Sequence, residues 1–164
     1  MLPTLQGERL TLRPATEDDL PMLLAMLREP SVAEWWGEPD DEGNRQELLD
    51  GLAIVVGGGV AGWLGAWEET DPMYPSVGLD ITLTTSHQDK GLGPEALRLA
   101  IDHYVKKGHH RFTIDPAVHN ERAIRCYASV GFKPVGVMRD YERVDDGPWH
   151  DALLMDLLAH ELIS

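Results

Sequence analysis

The stretch Ser76–Ala100, SVGLDITLTTSHQDKGLGPEALRLA, joins a strand pattern to a helix pattern through a turn that contains two glycines. Apolar side chains occupy every second position from Val77 to Leu83, which predicts a strand. Apolar residues then recur at spacings of three and four as far as Tyr104, which predicts a helix whose first residue is Pro94. Because the first amides of a helix lack intrahelical acceptors and glycine admits close approach, we expect the turn to bind a phosphate group.

The spacing of the glycines limits which phosphate ligand the turn can bind. It fits neither the GxGxxG pattern of dinucleotide sites nor the GxxxxGK[ST] pattern of P-loops. Gln88–Gly93 instead matches Q/R-x-x-G-x-G/A, and in this the chain resembles the GCN5-related N-acetyltransferases (GNAT), which bind a pyrophosphate at this turn. Farther along, Asn120–Phe132 matches N-x-x-A-x-x-x-Y-x-x-x-GF, which is similar to the second half of the acetyl-CoA site in that superfamily. The runs WWG, WEETDP, GLD and IRCYASVGF resemble those of the aminoglycoside 6'-N-acetyltransferases.

The resemblance implies that acetyl-CoA is the cofactor and assigns residues to it. Main-chain groups of Leu83 and Thr84 are expected to pair with the amides of the pantetheine arm, in the manner of an added strand. Asn120 is expected to hydrogen-bond the same arm. The cofactor-binding residues implied in this way are Leu83, Thr84, Gln88, Asp89, Lys90, Gly91, Leu92, Gly93, Pro94, Asn120 and Ala123.

Two residues are candidates for the chemistry of acetyl transfer to an amine. Asp80 lies in the strand before the turn, on the side opposite Leu79 and Ile81, and the resemblance implies that it accepts a proton from the amine. An acid in an apolar strand is also harmless when it has a partner or faces an edge, so a structural role stays open. Tyr127 shares a predicted helix face with Asn120, and the resemblance implies that it protonates the coenzyme A thiolate. Packing alone is the alternative for this tyrosine.

Aromatic and acidic residues are the candidates for contact with the acceptor. The set that the resemblance implies is Trp35, Trp36, Glu68, Asp71, Asp80 and Asp115. One of the adjacent tryptophans, Trp35 or Trp36, would form a wall for a sugar ring, and the alternative for each is a core anchor at the end of a helix.

The acidic members of this set also have ordinary alternatives. Glu68 or Asp71, within WEETDP, would hold substrate ammonium groups through charge-assisted hydrogen bonds, or would belong to a solvated loop. Asp115 would face the substrate, or would only form the turn before a proline.

Composition and charge exclude several classes of protein. The 164 residues, 43% of them apolar, predict one domain spanning residues 1–164. The sequence has no apolar run of about 20 residues and no secretion signal, so we expect a cytoplasmic protein, monomeric or homodimeric, without a membrane partner. The net charge of -14 argues against nucleic acid and is compatible with a cationic amine substrate, although it would equally keep an ordinary protein soluble. A single cysteine, Cys126, and the lack of an H-x-x-x-H pair indicate no metal site.

The elements predicted along the chain alternate between strands and helices. The first half begins with a strand at Gly7–Pro14, a helix that begins after Thr16 and stops at Pro30, and a short helix at Arg45–Leu52. Strands follow at Ala53–Val56 and Val60–Trp67 around a glycine turn, and then come the strand ending at Leu83 and the helix from Pro94. The remaining elements are a strand at Arg111–Asp115, a helix at Asn120–Tyr127, a further strand, a hairpin loop at Arg139–Trp149 and a last strand at His150–Leu158. This order predicts an α/β (α+β) fold with a mixed, mostly antiparallel sheet flanked by helices, which is the GNAT fold that the resemblance implies.

These expectations combine into one prediction of function. The chain is expected to be an acetyl-CoA-dependent N-acetyltransferase that acts on the 6'-amino group of aminoglycosides and so confers antibiotic resistance. A different amine acceptor, such as a protein N-terminus, a polyamine or a siderophore precursor, stays open, because the first strand and helix also resemble those of protein N-terminal acetyltransferases. A non-catalytic acyl-CoA sensor is the alternative from another class.

Overall fold

The structure, a computed structural model, describes residues 2–164 and contains eight strands and five α-helices in that range. In chain order they are β1 (Leu5–Gln6), β2 (Thr11–Pro14), α1 (Leu20–Leu27), α2 (Pro30–Trp36), α3 (Asp41–Leu49), β3 (Leu52–Val56), β4 (Gly59–Glu69), β5 (Ser76–Leu83), α4 (Leu92–Lys106), β6 (Arg111–Ile114), α5 (Glu121–Val130), β7 (Lys133–Glu142) and β8 (His150–Leu158). None of the helices within residues 2–164 has the length and apolar character needed to cross a membrane.

The strands follow the order β1-β2-β3-β4-β5-β6-β8-β7 in the sheet. Antiparallel pairing joins β1 to β2, β2 to β3, β3 to β4, β6 to β8 and β8 to β7. Strands β5 and β6 run parallel. The predicted fold class, a mixed and mostly antiparallel sheet combined with helices, is confirmed.

The chain folds into two compact units. The first unit comprises the residues up to Gly65 together with Asp80–Leu99, and the second comprises Ala66–Leu79 together with Ala100–Ser164. The single domain expected from chain length stays a prediction.

A core centred on one tryptophan stabilises the first unit. Trp63 on β4 is 1% exposed, and its indole Nε1 donates a hydrogen bond to the main-chain oxygen of Leu48 at 2.9 Å. The apolar stripe of α1 packs in the same cluster through Leu20, Leu23, Met26 and Leu27. A Cβ atom at Gly51 would come within 2.3 Å of the Trp63 ring, so this position, just before β3, requires glycine.

A partly buried ion pair joins β2 to the residue before α1. Arg13 donates two hydrogen bonds to the carboxylate of Asp19, at 2.7 and 2.9 Å, and Asp19 also accepts from the N–H of Thr16 at 2.8 Å. The hydrogen bond from Arg13 holds the pKa of Asp19 below its usual range, even though burial opposes its ionisation. The segment between Thr16 and α1, where the sequence predicts the start of the helix, is thereby fixed to the strand that precedes it.

The second unit has its own core between the sheet and α5. Phe112 on β6 lies opposite Leu157 on β8, and both side chains are fully buried. Tyr127 on α5 is buried as well, and its ring meets that of Phe132 edge-on with the centroids 6.3 Å apart. Tyr127 and Val130 of α5 and the following Phe132 are thus buried together in the second unit.

The predicted first strand, Gly7–Pro14, ends at the right residue but begins too early. Only Thr11–Pro14 forms β2, β1 precedes the predicted range, and the turn between them is closed by a hydrogen bond from the N–H of Gly7 to the oxygen of Leu10 at 2.8 Å. The alternation of Leu10 with Leu12 is real, since both side chains are buried, but it does not reveal that the chain reverses before them.

The helix boundary expected at Pro30 is also wrong. Helix α1 ends at Leu27, and Pro30 is the first residue of α2. A proline fits there because the first amide of a helix has no intrahelical acceptor.

The short helix expected at Arg45–Leu52 lies earlier, at Asp41–Leu49. It begins early because the side chain of Asp40 accepts a hydrogen bond from the N–H of Glu42 at 3.1 Å and caps the helix. Leu52 belongs to β3 instead.

Helix α4 begins two residues before the predicted position. Its first residue is Leu92, so Pro94 is the third residue rather than the first. Proline is tolerated there because none of the first four amides of a helix has an intrahelical acceptor.

The loop predicted at Arg139–Trp149 is shorter than expected, because β7 continues through Glu142, opposite His150. The pairing is irregular between Met138 and Glu142, where Asp140 has a φ of 46°. After this irregular segment, Glu142 of β7 pairs again with β8, opposite His150. Strand β8 has the predicted bounds, His150–Leu158.

Candidate active site

The glycine turn of the first unit lies directly before α4. Asp89 and Gly91 have φ values of 60° and 78°, in the left-handed region that glycine adopts without strain. The N–H of Glu95 donates to the oxygen of Gly91 at 3.3 Å, which closes the first turn of the helix. Gly91, Leu92 and Gly93 are consecutive residues at the start of α4, where main-chain N–H groups have no acceptor within the helix. Consecutive amides of this kind at a helix start suit an anion.

Arg9, which no motif in the sequence singles out, holds this turn from the β1–β2 connection. Its Nη1 donates to the main-chain oxygen of Lys90 at 2.8 Å, and its Nη2 donates to that of Gly91 at 3.1 Å. Its Nε and its own main-chain N–H donate to the two carboxylate oxygens of Glu95, at 2.8 and 2.9 Å. Burial opposes the ionisation of Glu95, but the hydrogen bonds from Arg9 outweigh it and keep the pKa of Glu95 below its ordinary value.

The other predicted cofactor residues of the first unit already have partners inside the fold. The side-chain amide of Gln88 donates to the oxygen of Leu83 at 3.0 Å and to Oγ of Ser31 at 3.1 Å. The N–H of Thr84 donates to the oxygen of Ala61 at 2.9 Å. In the turn itself, Asp89 and Lys90 are exposed and Pro94 is half-buried.

Helix α2 is anchored to the segment that leads into the turn. The carboxylate of Glu29 accepts from both the N–H and the Oγ1 of Thr85, at 2.6 and 2.8 Å, and Ser31 Oγ lies 2.7 Å from Thr85 Oγ1. This network ties the start of α2 to the residues just before Gln88. The helix ends with the two adjacent tryptophans.

The tryptophans have different surroundings. Trp36 meets Trp63 edge-on, with ring centroids 5.6 Å apart, and packs against the core cluster of the first unit. It is therefore a core anchor. Trp35 is half-buried and is not part of that cluster.

Asp80 lies on β5 of the first unit. Its side chain is half-buried, between the buried Leu79 and the half-buried Ile81. Its Oδ1 accepts a hydrogen bond from the N–H of Ile81 at 2.8 Å. The carboxylate is therefore oriented by the main chain of its own strand.

The second unit carries the predicted acid and its helix. Asn120 Oδ1 accepts from the N–H of Ala123 at 3.2 Å, so this asparagine caps α5. Tyr127, two turns later, is 6% exposed. Asn120 therefore has a structural role besides the predicted contact with pantetheine.

Glu68 is held by two basic side chains of the second unit. Its Oε1 lies 2.7 Å from Lys107 Nζ, and its Oε2 lies 2.8 Å from His109 Nε2. The hydrogen bond from Lys107 is the main reason why the pKa of Glu68 is below its ordinary value, although partial burial opposes this. A substrate ammonium group would have to compete with both partners.

Asp71 forms a turn in the connection between β4 and β5. Its Oδ1 accepts from the N–H of Met73 at 2.9 Å, and its own N–H donates to Glu69 at 3.1 Å. The side chain is half-buried.

Asp115 has neighbours that the sequence did not indicate. The hydroxyl of Tyr141 donates to Asp115 Oδ2 at 2.9 Å, and this bond, with partial burial, raises the pKa of Tyr141. Burial and the charge of Asp115 raise the pKa of Glu142, while His150 and His119 act in the opposite direction. The rings of the two histidines lie 4.8 Å apart. The sequence does not reveal this group, because its members come from two strands, β7 and β8, and from the connection after β6.

The first unit thus contains the turn, Asp80 and both tryptophans, and the second contains Tyr127, its helix cap and the remaining acidic residues. In the part of the chain that the structure describes, no three His, Cys, Asp or Glu side chains are arranged to hold a metal ion.

Comparison with known proteins identifies the family. Residues 9–133, well over half of the chain, match the family model of the acetyltransferase (GNAT) domain. The aminoglycoside N(6')-acetyltransferase type 1 of Klebsiella pneumoniae is 29% identical in an alignment that covers 88% of this chain and 82% of that protein.

Solved structures show the same fold. The structure of AAC(6')-Ib in complex with paromomycin and acetyl-CoA is 27% identical, with a TM-score of 0.77 over 94% of this chain and 97% of that chain. RimJ of Mycobacterium smegmatis in complex with CoA-disulfide has a TM-score of 0.83 at 24% identity, over 99% of this chain and 90% of that chain. The predicted cofactor, acetyl-CoA, is confirmed, since it is the acyl donor of GNAT acetyltransferases. The chain belongs to the GNAT family of acetyltransferases.

Proposed function

We propose that this acetyltransferase transfers the acetyl group of acetyl-CoA to the 6'-amino group of an aminoglycoside. The observation that carries the donor half of the proposal is the turn before α4, with its row of amides that suits a diphosphate. The acceptor is supported by a relative named for the N(6') reaction and by a similar structure that contains paromomycin. The net charge of -14 would attract such a polycation.

The donor would be held mainly by main-chain groups. The amides of Gly91, Leu92 and Gly93 would donate to the diphosphate, and the remaining residues of Gln88–Pro94 would shape the turn around it. Leu83, Thr84 and Asn120 would contact the pantetheine arm, next to Ala123. Bound in this way, acetyl-CoA supplies an activated thioester carbonyl.

Asp80 would act as the base. An aminoglycoside amine is protonated near neutral pH, so a proton has to leave before the nitrogen can attack the carbonyl. Asp80 would accept this proton, directly or through a water. Its half-buried position and the 2.8 Å hydrogen bond from the N–H of Ile81 support the role, since both restrict its orientation.

Tyr127 would act as the acid. As the new C–N bond forms and the C–S bond breaks, the departing thiolate needs a proton, which the hydroxyl of Tyr127 would donate. The buried ring, packed against Phe132, supports a fixed position for that hydroxyl.

The acceptor would be bound by Trp35 and by the carboxylates of Asp71, Asp80 and Asp115. Trp35 is favoured over Trp36 as the sugar-ring wall, because Trp36 packs against the core. Glu68 is the weakest member of the predicted set, since Lys107 and His109 already pair with its carboxylate.

The test is an assay of thiol release from acetyl-CoA with a matched pair of aminoglycosides that carry either an amine or a hydroxyl at the 6' carbon. The account predicts turnover with the 6'-amine compound and none with its partner. Expression in a susceptible bacterium should then protect against the 6'-amine compound only. Equal turnover of the two compounds would exclude the 6' position.

The same assay separates the rival functions. Polyamines, siderophore precursors and peptides with free N-termini belong in the panel, and turnover with one of these alone would replace the aminoglycoside as acceptor. Binding of CoA without turnover on any amine would indicate a sensor.

A further inference from the structure

We infer that Arg9 and Glu95 form a clasp that positions the donor-binding turn, and that the affinity for CoA depends on this clasp. The inference rests on the proposed role of the turn at Gln88–Pro94. Arg9 is a positioning residue here, since it acts through the main chain of Lys90 and Gly91.

The direction of the turn's amides follows from the direction of its carbonyls. The guanidinium of Arg9 donates hydrogen bonds to the oxygens of Lys90 and Gly91, so both oxygens point toward it. In a trans peptide the oxygen of one residue and the N–H of the next point to opposite sides, and the chain has no cis peptide bond in residues 2–164. The N–H groups of Gly91 and Leu92 therefore point away from Arg9. The clasp thus sets which side of the turn presents amides to an anion.

Glu95 fixes the guanidinium in turn. It accepts from the Nε and the main-chain N–H of Arg9, so the arginine is held at both its tip and its backbone. The side chain of Glu95 is only 18% exposed, whereas that of Arg9 is 49% exposed. Glu95 and the oxygens of Lys90 and Gly91 together accept from all three nitrogens of the guanidinium, a planar arrangement that lysine cannot reproduce.

Gly91 lies against the clasp. A Cβ atom on Gly91 would stand 3.2 Å from Nη2 of Arg9, and its φ of 78° disfavours any side chain. The glycine of the motif therefore has two roles, since it adopts the turn and leaves room for the arginine. Arg9 of the GERL segment and Gly91 of the QDKGLG turn are therefore in direct contact in the first unit.

The experiment measures CoA binding by titration calorimetry in the wild type, Arg9→Met, Arg9→Lys and Glu95→Gln. We expect both Arg9 variants to bind CoA roughly ten-fold or more weakly, because two charge-assisted hydrogen bonds are lost, and Glu95→Gln to bind a few-fold more weakly. Arg28→Met is the matched control, since Arg28 is 51% exposed and pairs with Asp41 of the same unit and not with a residue of the turn. Its affinity for CoA should equal that of the wild type.

A second measurement distinguishes positioning from general loss of structure. Acetyl-CoA is compared with S-acetylpantetheine, which carries the same thioester without the diphosphate, on whichever amine supports turnover. The clasp predicts that Arg9→Lys lowers kcat/KM for acetyl-CoA through KM and leaves kcat/KM for S-acetylpantetheine unchanged. An equal fall with both donors, or unchanged CoA affinity in both Arg9 variants, would overturn the inference.

A failure of the clasp can be distinguished from a failure of the donor-binding turn by comparing variants of Gly91 and Arg9. Gly91→Val distorts the turn itself, so a variant of Gly91 that binds CoA normally would remove the turn from the donor site. A Gly91→Val that loses CoA while Arg9→Met keeps it would remove only the clasp.

Discussion

The ring of Trp36 meets that of Trp63 edge-on in the first unit, with the centroids 5.6 Å apart and the planes inclined by 78°. Trp36 belongs to the WWG run that the sequence links to the acceptor, yet this contact places it against the core. The neighbouring Trp35 is therefore the better candidate for contact with substrate. The two roles give opposite expectations for stability and for affinity.

Trp36→Ala should destabilise the protein by about 2–4 kcal/mol, because it removes a ring that packs on a fully buried tryptophan. Trp35→Ala should cost less in stability and should raise KM for the acceptor. Chemical denaturation and steady-state kinetics on the two variants provide the comparison. A large stability loss in Trp35→Ala with unchanged KM would exclude it from the acceptor site.

Asp80→Asn should lower kcat by about 10²- to 10⁴-fold, the usual contribution of a general base. The affinity for CoA should not change, because the variant preserves the shape of the side chain and its acceptor oxygen. Presteady-state turnover and CoA titration on the same preparation measure both quantities. Retained turnover would remove Asp80 from the mechanism.

Tyr127→Phe keeps the buried ring and removes only the hydroxyl. We expect turnover to fall by about ten- to a hundred-fold or more, with little change in melting temperature, because the packing against Phe132 is retained. Undiminished turnover would show that the thiolate obtains its proton elsewhere. A fall in melting temperature with normal turnover would assign the hydroxyl to structure.

The stability of the second unit should depend on pH through Glu68. Its pKa is lowered from the ordinary value of 4.5, so its contribution to stability is complete above that pH. The contribution is lost as the pH falls through the lowered pKa, where the folded state takes up the proton. Glu68→Gln should therefore be less stable than the wild type at neutral pH and should approach it in acid. Denaturant titrations from pH 7 to pH 3 test this, with the exposed Glu8→Gln as the control.

The local patterns that a sequence displays were enough to predict the strand, turn and helix of the donor site. Strand β5 ends at Leu83 as predicted, and the glycine turn follows it. The exact ends of helices and strands were harder to predict. Asp40 caps α3 and Asp140 has a positive φ within β7, and neither residue belongs to a periodic pattern.

Contacts between distant segments could not be predicted. Arg9 and Glu95 are 86 residues apart, and Glu68 is 39 residues from Lys107, so no spacing reveals either pair. Such partners changed the interpretation of Glu68 from a substrate ligand toward an internal ion pair. Gln88 is a similar case, because the side chain of this motif residue donates hydrogen bonds to Leu83 and Ser31 within the fold.

The claim on which the rest depends is that the turn at Gln88–Pro94 binds the diphosphate of acetyl-CoA. The most direct measurement is the dissociation constant of CoA for the wild type, Gly91→Val and Gly57→Val. Gly57 also has a positive φ, 58°, and nothing lies within 4 Å of a Cβ there, so its variant carries the same kind of backbone strain in the β3–β4 hairpin. We predict that Gly91→Val binds CoA at least about ten-fold more weakly than both the wild type and Gly57→Val. Equal affinity in all three proteins would contradict the account.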